Sequence, residues 1–301
     1  MVKTLIVVLG PTGIGKSDLS IRLARFFKTE IISSDSRQIF RELSIGTAVP
    51  SPSDLQKVKH HLIHSHSVHD DYNASRFEED ALKILNQIFE KKNVAVLTGG
   101  SMFYIDAVCN GIDDLPNVDP KIRGRLIAEY EEKGIEHLRL QLKKMDPVYY
   151  SNVDLKNSKR ILHALEICLM TGKPYSSFRK DEKKKRPFRT IKIGLNTDRK
   201  MLYQRINQRV DRMIGEGLVN EAKQNYPFRG LNALNTVGYK ELFAYFEGKT
   251  NLEEAIDLIK RNSRRYARKQ LTWFRKDTEI NWFLPDQENK IIDFLVEKLT
   301  E

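Results

Sequence analysis

A chain of 301 residues with 40% hydrophobic side chains has material for one large domain or two smaller ones with buried cores. Two cysteines, no apolar run of bilayer length and no signal or transit pattern argue against a disulfide framework, a membrane span or export, and point to a reducing, cytoplasmic setting. Lysines and arginines number 51 against 40 acids, and the net charge of +11 suits a polyanionic partner, nucleic acid first.

The apolar run Thr4 to Leu9 predicts a buried strand. It leads into Gly10, Pro11, Thr12, Gly13, Ile14, Gly15, Lys16 and Ser17, after which Asp18 to Phe27 carries apolar residues at helical spacing. Strand, glycine loop, lysine, hydroxyl and helix in this order form a P-loop. The glycines let several backbone N–H groups converge, and the new helix adds unsatisfied N–H groups and the positive end of its dipole. Lys16 is expected to reach a terminal phosphate and Ser17 to hold a magnesium ion. The chain should therefore grip a di- or triphosphate. A plain turn between strand and helix does not require all these positions together.

Glu30 to Ser33 reads as a second strand, ending in Ser33-Ser34-Asp35-Ser36-Arg37-Gln38. An acid just past the C-terminal end of a parallel strand points into the ligand crevice, so Asp35 is a catalytic candidate, with a helix N-cap as the other reading. Arg37 and Gln38 carry groups suited to a phosphate or a base edge. Ile39 to Pro52 reads as a loop. Five of the seven histidines fall between His60 and His69. Without a nearby cysteine, or the glutamate of hydrolytic zinc motifs, they are expected to form a loop or strand near the substrate rather than a zinc site.

Ala74 to Lys92 predicts an amphipathic helix with Phe77, Ala81, Ile84, Leu85, Ile88 and Phe89 on one face. Val94 to Leu97 predicts a buried strand ending in Thr98-Gly99-Gly100-Ser101, and a helix follows from Met102 to Cys109. This alternation predicts an α/β fold, a P-loop NTPase-like parallel sheet with helices on both faces. No acid follows the Val94–Leu97 strand, where NTP-hydrolysing P-loop proteins place a magnesium-binding one. A transferase is favoured over a motor-type ATPase.

Asp113-Asp114-Leu115-Pro116 and Asp119-Pro120 mark a boundary. Beyond it, Lys121 to Lys133 and Ile135 to Met145 predict helices broken at Gly134. Another helix starts at Asp146-Pro147, and one spans Asn157 to Met170. Arg179 to Arg189 reads as a charged link. The expectation is a helical insertion, residues 116–189, between two parts of the core domain, 1–115 and 190–301. Ile191 to Leu195 returns to strand character, and Met201 to Ile214 predicts a helix bearing Arg205, Arg209 and Arg212, of which Arg205 and Arg209 are phosphate ligands or part of a solvated face. Another helix opens around Thr236 to Glu241. Ile256 to Lys276 predicts a basic helix with Tyr266, Trp273 and Phe274 interleaved, the footprint of a nucleic-acid binder. Cys109 and Cys168 lie in apolar stretches and read as small buried hydrophobes.

Taken together, these stretches resemble the bacterial tRNA dimethylallyltransferases, also called tRNA isopentenyltransferases. The resemblance covers nearly the whole chain. It rests on GPTGIGKS (10–17), SSDSRQIF (33–40), HHLI (60–63), LTGGSMFY (97–104), KRILHALEICLMTGKP (159–174), VGYKE (237–241) and RRYARKQLTWFR (264–275). It implies transfer of a dimethylallyl group from dimethylallyl diphosphate to N6 of adenosine 37, beside the anticodon of tRNA. Gly10 to Ser17 and Arg209 would hold the diphosphate, with Mg²⁺ on Ser17. Lys16, Asp35 and Ser101 would be catalytic, Asp35 as the general base. Contacts to the anticodon stem-loop would come from Asp35, Ser36, Arg37, Gln38, Ser101, Arg123, Lys159, Arg160, Ile161, Leu162 and His163, joined by Lys240, Arg265 and Arg268. The helical insertion would be the mobile part that closes on the tRNA, and the protein would act as a monomer. The usual Gly-Gly-Thr-Gly of the family is Gly99-Gly100-Ser101-Met102 here, so a narrower pocket is expected. The usual Gln-Arg is Lys159-Arg160, and a later basic position is His163. An adenylate isopentenyltransferase acting on free AMP, ADP or ATP is the first alternative, with less use for the insertion and the basic helix. A small-molecule kinase would need ATP, and a catalytically silent RNA binder would leave Lys16, Ser17 and Asp35 without a task.

Overall fold

The computed structural model describes residues 2–113, 115–116, 119–179 and 183–301. Asp114 of the predicted boundary and Lys180, Asp181 and Glu182 of the charged link lie outside the described residues. The chain forms two compact units, one of residues up to Asn110 together with Lys185–Glu301, the other Gly111–Lys184.

The first unit begins with β1 (Thr4–Leu9), six residues all buried. Side chains alternate across a strand, and here Leu5, Val7 and Leu9 enter one core while Ile6 and Val8 enter another. A strand buried on both faces needs helices on both sides, which is why it reads as an unbroken apolar run. Truncating Leu5 to alanine would cost about 3 kcal/mol. The glycine loop follows, then α1 (Lys16–Phe26). Gly10 stands at φ 146°, and a Cβ there would fall 2.6 Å from the Leu195 carbonyl oxygen, so only glycine fits. Next come β2 (Ile31–Ser33), α2 (Pro52–Lys57), β3 (His60–His61), α3 (Ala74–Lys91), β4 (Val94–Gly99) and α4 (Met102–Asn110). β4 runs two residues past the predicted strand, making Thr98 and Gly99 part of the sheet. Cys109 packs half-buried against the core, and burial pushes its thiol up to about 12.

The second unit holds α5 (Pro120–Met145), α6 (Pro147–Asn152) and α7 (Ser158–Thr171). Gly134, at φ 75° and ψ −177°, breaks α5 where expected, because a residue there must leave helical geometry. Asp119, Asp146 and Asn157 accept hydrogen bonds from backbone N–H groups at the starts of the three helices. Leu126, Leu138, Leu142, Ile161, Ala164 and Leu165 form the core, with Tyr149, Tyr150 and Tyr175 packed on it.

The chain then returns to the first unit as β5 (Arg189–Leu195), α8 (Arg199–Gly215), α9 (Leu218–Asn225), α10 (Tyr239–Phe246), α11 (Leu252–Phe274), β6 (Ile280–Phe283) and α12 (Glu288–Thr300). All strand pairs are parallel, in the order β3-β2-β4-β1-β5-β6. One face is covered by α1, α12 and the start of α8, through Leu19, Leu23, Ile291, Leu295, Leu202 and Ile206. The other is covered by α3, α4, α9 and α10, through Phe77, Leu85, Ile105, Leu218 and Leu242. The expected α/β class therefore holds. β6, α9 and α12 add elements that the sequence analysis does not assign; β6 is a four-residue edge strand with only Ile280 fully buried. Lys192, buried in β5, binds Asp277 (2.7 Å) and Glu279 (2.8 Å) and so anchors the segment that follows α11. Among the described residues no helix is long and apolar enough to cross a membrane.

Candidate functional site

The loop from Gly10 to Ser17 lies at the C-terminal end of β1, in the middle of the sheet. Lys16 Nζ donates to the Gly10 (3.0 Å) and Pro11 (2.9 Å) carbonyl oxygens, so the lysine is folded across its own loop. Burial of this ammonium, with Arg209 close by, lowers its pKa to about 7, against the opposing pull of Asp35. Both arginines of α8 in question reach the loop. Arg209 Nη1 donates to Thr12 Oγ1 (3.0 Å), and Arg205 Nη1 donates to the Ile14 carbonyl oxygen (3.2 Å). Burial also pulls the Arg209 guanidinium below its usual range. The helix face left open by sequence is thus a loop-facing one at Arg209.

Ser17 is exposed in the first turn of α1. Magnesium keeps most of its waters and takes one or two protein oxygens beside those of a phosphate, so a single hydroxyl beside the loop amides is a fitting donor set. Among the described residues no group of three or more His, Cys, Asp or Glu side chains is placed to hold a metal. The histidines have other partners: His61 Nε2 meets Glu30 Oε2 (2.6 Å), His60 Nδ1 the Val58 carbonyl (2.8 Å) and His64 Nε2 Ser44 Oγ (3.3 Å).

Asp35 lies two residues past β2, and its Oδ1 accepts from the backbone N–H of Arg37 (2.9 Å) and Gln38 (3.3 Å). The carboxylate therefore organises a turn, not a helix, and it still lines the site. Because β2 and β4 are neighbours, the segment after β4 lies beside this turn. Ser101 Oγ accepts from the Ser36 N–H (2.8 Å) and hydrogen-bonds Ser36 Oγ (3.1 Å). Met102 packs partly buried against the main core, while Ser101 lines the cavity. Gln38 Nε2 donates to the Thr47 (3.2 Å) and Ala48 (3.0 Å) carbonyls, and its Oε1 accepts from Ser33 Oγ (3.1 Å). Its amide holds the 44–48 loop.

Two residues that the sequence analysis did not single out complete the frame. Glu221 of α9 accepts from the N–H groups of Ser44 (2.9 Å), Ile45 (2.8 Å) and Gly46 (2.8 Å) and from the Tyr239 hydroxyl (2.6 Å). It fixes the same loop from the far side. Gln270 of α11, 1% exposed, accepts from the Thr12 N–H (2.9 Å) and donates to the Gly100 carbonyl (2.8 Å). It ties the basic helix to both the P-loop and the end of β4. The available signal was a neutral amide at the buried stripe Ala267, Gln270, Phe274 of an otherwise basic helix.

Two cavities meet at these residues. One, about 850 Å³, is lined by Gly13, Gly15, Lys16, Ser17, Gln38 and Arg205. The other, about 1120 Å³, is lined by Arg37, Ser101, Lys240, Arg265, Arg268 and Trp273. Thr12, Asp35, Arg209 and Tyr266 belong to the walls of both. Burial, with Asp35 near, pushes the Tyr266 hydroxyl up to about 12, so it stays a neutral hydrogen-bonding group. The cations of α11 divide. Lys260 pairs with Asp211 (2.6 Å) and Arg264 with Asn207 (2.7 Å), whereas Arg265, Arg268 and Lys269 face the larger cavity.

The remaining predicted residues belong to the helical unit. Arg123 makes a two-point pair with the buried Glu166 (2.6 and 2.9 Å), and His163 Nδ1 stands 3.4 Å from the same carboxylate. Lys159 and Arg160 are exposed at the start of α7. Ile161 is corrected: it is 0% exposed in the core of this unit, on the inward face of an amphipathic helix, and its side chain is not a tRNA contact. Leu162 packs partly on the same core.

A family profile described as IPP transferase matches residues 38–277. The chain is 54% identical over 293 residues to the "tRNA dimethylallyltransferase 1" of Bacteroides fragilis, covering 97% of each. To the protein of that name from Bacteroides thetaiotaomicron it is 55% identical over 292 residues, covering 97% of this chain and 95% of the relative. Among solved structures it is similar to a tRNA isopentenylpyrophosphate transferase from Bacillus halodurans, with TM-score 0.72, 36% identity and coverage of 99% of this chain and 97% of the other. It is also similar to a eukaryotic dimethylallyltransferase acting on tRNA, with TM-score 0.80, 26% identity and coverage of 95% of this chain and 74% of the other.

Proposed function

The chain belongs to the IPP transferase family, and from that membership we propose that it moves a dimethylallyl group from dimethylallyl diphosphate to N6 of adenosine 37 in tRNA. The observation that carries the reading is the shared wall: Asp35 lines a phosphate-gripping cavity and a cation-lined cavity at once. A transferase needs two substrates brought to one group from two sides.

The loop amides, Lys16 and Arg209 bind the diphosphate and stabilise the charge that grows on it as it leaves. Lys16 is ready for this because a bound polyanion raises the pKa of a desolvated ammonium, and the lysine takes up a proton as the ligand arrives. Mg²⁺ held through Ser17 would neutralise further charge on the same oxygens. The adenine enters from the larger cavity. Leaving the anticodon stack costs a few kcal/mol, roughly, and the cations of α11 and Lys240 offset it through phosphate contacts. At the junction, the bond from the allylic carbon to the diphosphate oxygen breaks and its electron pair leaves with the diphosphate. The N6 lone pair forms the new C–N bond, and the N6 proton passes to the Asp35 carboxylate. An exocyclic amine conjugated with a ring is a weak nucleophile, so this proton transfer helps. Asp35 is already oriented by two backbone N–H groups on one oxygen, which leaves the other free to face the substrate. Ser101 acts by holding Ser36, and Lys159 and Arg160 of the helical unit supply further phosphate contacts. The enzyme works as a monomer in the cytoplasm.

The test is transfer of a labelled dimethylallyl group with Mg²⁺ present, offered to an anticodon stem-loop with adenosines at positions 36 to 38, to AMP, or to no acceptor. Label at position 37 of the RNA is the expected result. Label in AMP alone would assign the free-nucleotide reaction instead, and label in neither acceptor would end the transferase reading.

A further inference from the structure

Phe103 has no part in the chemistry described so far. It stands at the start of α4, two residues after Ser101, and is 56% exposed. A lone apolar side chain on a surface is ordinary. Phe103, however, meets Trp273 of α11 edge to face, with ring centroids 4.9 Å apart. Trp273 lines the larger cavity together with Tyr266, seven residues earlier and so on the same face of the helix. Arg265, Arg268, Lys269 and, just past the helix end, Lys276 line the same cavity. Aromatic rings set among cations are what proteins use to hold unpaired bases, with stacking on the rings and phosphates on the cations. An apolar protein partner would be poorly served by such charged surroundings.

We propose that Phe103 and Trp273 form a stacking subsite for an unpaired nucleobase of the RNA, adjacent to the base that enters the cavity. This rests on the reading that RNA is the acceptor. Phe103 is not among the cavity-lining residues, so the base it meets is a neighbour of the reacting one rather than the reacting one itself. The subsite would select for an anticodon loop whose flanking base can turn out, and would hold that loop open while the reacting base is inside.

The chain has two tryptophans, Trp273 and Trp282. Trp282→Phe leaves Trp273 as the single indole, a reporter within the proposed subsite. Titration with an anticodon stem-loop is expected to quench its fluorescence. In that background Phe103→Ala should weaken stem-loop binding about tenfold, the effect of losing one base–aromatic stack. Phe103→Tyr should restore affinity, and Phe103→Leu, with apolar bulk but no ring, should behave as alanine. An abasic nucleotide moved through the loop should reproduce the loss at one position, and there Phe103→Ala should add nothing more. Unchanged affinity in Phe103→Ala, full function with leucine, or losses that multiply at every loop position would overturn the subsite while leaving transfer to RNA intact. Failure of the unaltered protein to bind the stem-loop would remove the subsite together with the reading it rests on.

Discussion

The diphosphate side of the proposed site is mainly eight consecutive residues, Gly10 to Ser17, running from the end of β1 into the first turn of α1, with Arg209 of α8 laid against them. The acceptor side is gathered from the turn after β2, Ser101 just before α4, and helices α8, α10 and α11, which are separated by up to about 240 residues of chain and held by tertiary packing. The first is made mostly of backbone and offers the same grip to any diphosphate. The second is made of side chains and carries what distinguishes one acceptor from another. General chemistry is stored in a local motif, and selectivity in a long-range assembly. Asp35 stands where they join, so it should be the residue whose loss separates chemistry from binding most sharply.

That yields the largest expected effect. Asp35→Asn should lower kcat by about a thousandfold, the middle of the range for a general base. Stem-loop affinity, read by filter binding, should stay within about tenfold, because asparagine can still accept the two turn hydrogen bonds through its carbonyl oxygen. Normal turnover by this variant would move the base to another group.

Lys16→Met should act on one side alone. It should lower kcat/KM for dimethylallyl diphosphate about a hundredfold, as loss of an oxyanion donor does, with RNA affinity unchanged. The pH dependence follows from the lowered pKa of about 7 in the free protein. The charged lysine binds the anion, and the anion raises its pKa. Affinity for the diphosphate should therefore be flat below pH 7 and fall as pH rises above it, measured by calorimetry. The fall should vanish in Lys16→Met. A flat profile in the unaltered protein would show that Lys16 is fully charged before the ligand arrives.

The same contrast explains what could be seen in the sequence. The P-loop, the strands β1, β4 and β5, and the break at Gly134 were legible because their signals are local: apolar runs, glycine spacing, caps. The position of Asp35 in the cavity wall was legible because the end of a parallel strand is a defined place. Gln270 and Glu221 were not, because each acts through backbone groups from 170 to 258 residues away, which no local pattern encodes. Ile161 was misassigned because a motif match carries a residue without its orientation, and only packing shows which face of α7 is inward. The placement of Arg205 and Arg209 against the loop stayed open in the sequence for the same reason.

Gln270 gives a smaller and more even effect, since it touches both sides. Gln270→Leu leaves the Thr12 N–H and the Gly100 carbonyl without their partner, a loss of about 2–6 kcal/mol in stability at about 1–3 per buried group. KM should rise for both substrates. Gln270→Glu keeps the acceptor for Thr12 and loses the donor to Gly100, so it should retain more of the diphosphate affinity than of the RNA affinity. Equal losses in the two variants would mean that Gln270 supports the fold as a whole rather than joining the two sides.

The smallest effects should sort the cations of α11. Arg268 lines the acceptor cavity, whereas Lys260, on the same helix, is paired with Asp211 of α8. If RNA phosphates dock along the cavity face, Arg268→Ala should weaken stem-loop binding a few-fold. It should also reduce the slope of log affinity against log salt by about one, the change expected for one lost phosphate contact. Lys260→Ala should leave that slope as it was. A helix acting only as a diffuse positive field would respond alike to both substitutions, because each removes one charge from the same element. Unequal slopes would therefore establish that the acceptor side binds by position, as the diphosphate side does, although it is assembled from distant parts of the chain.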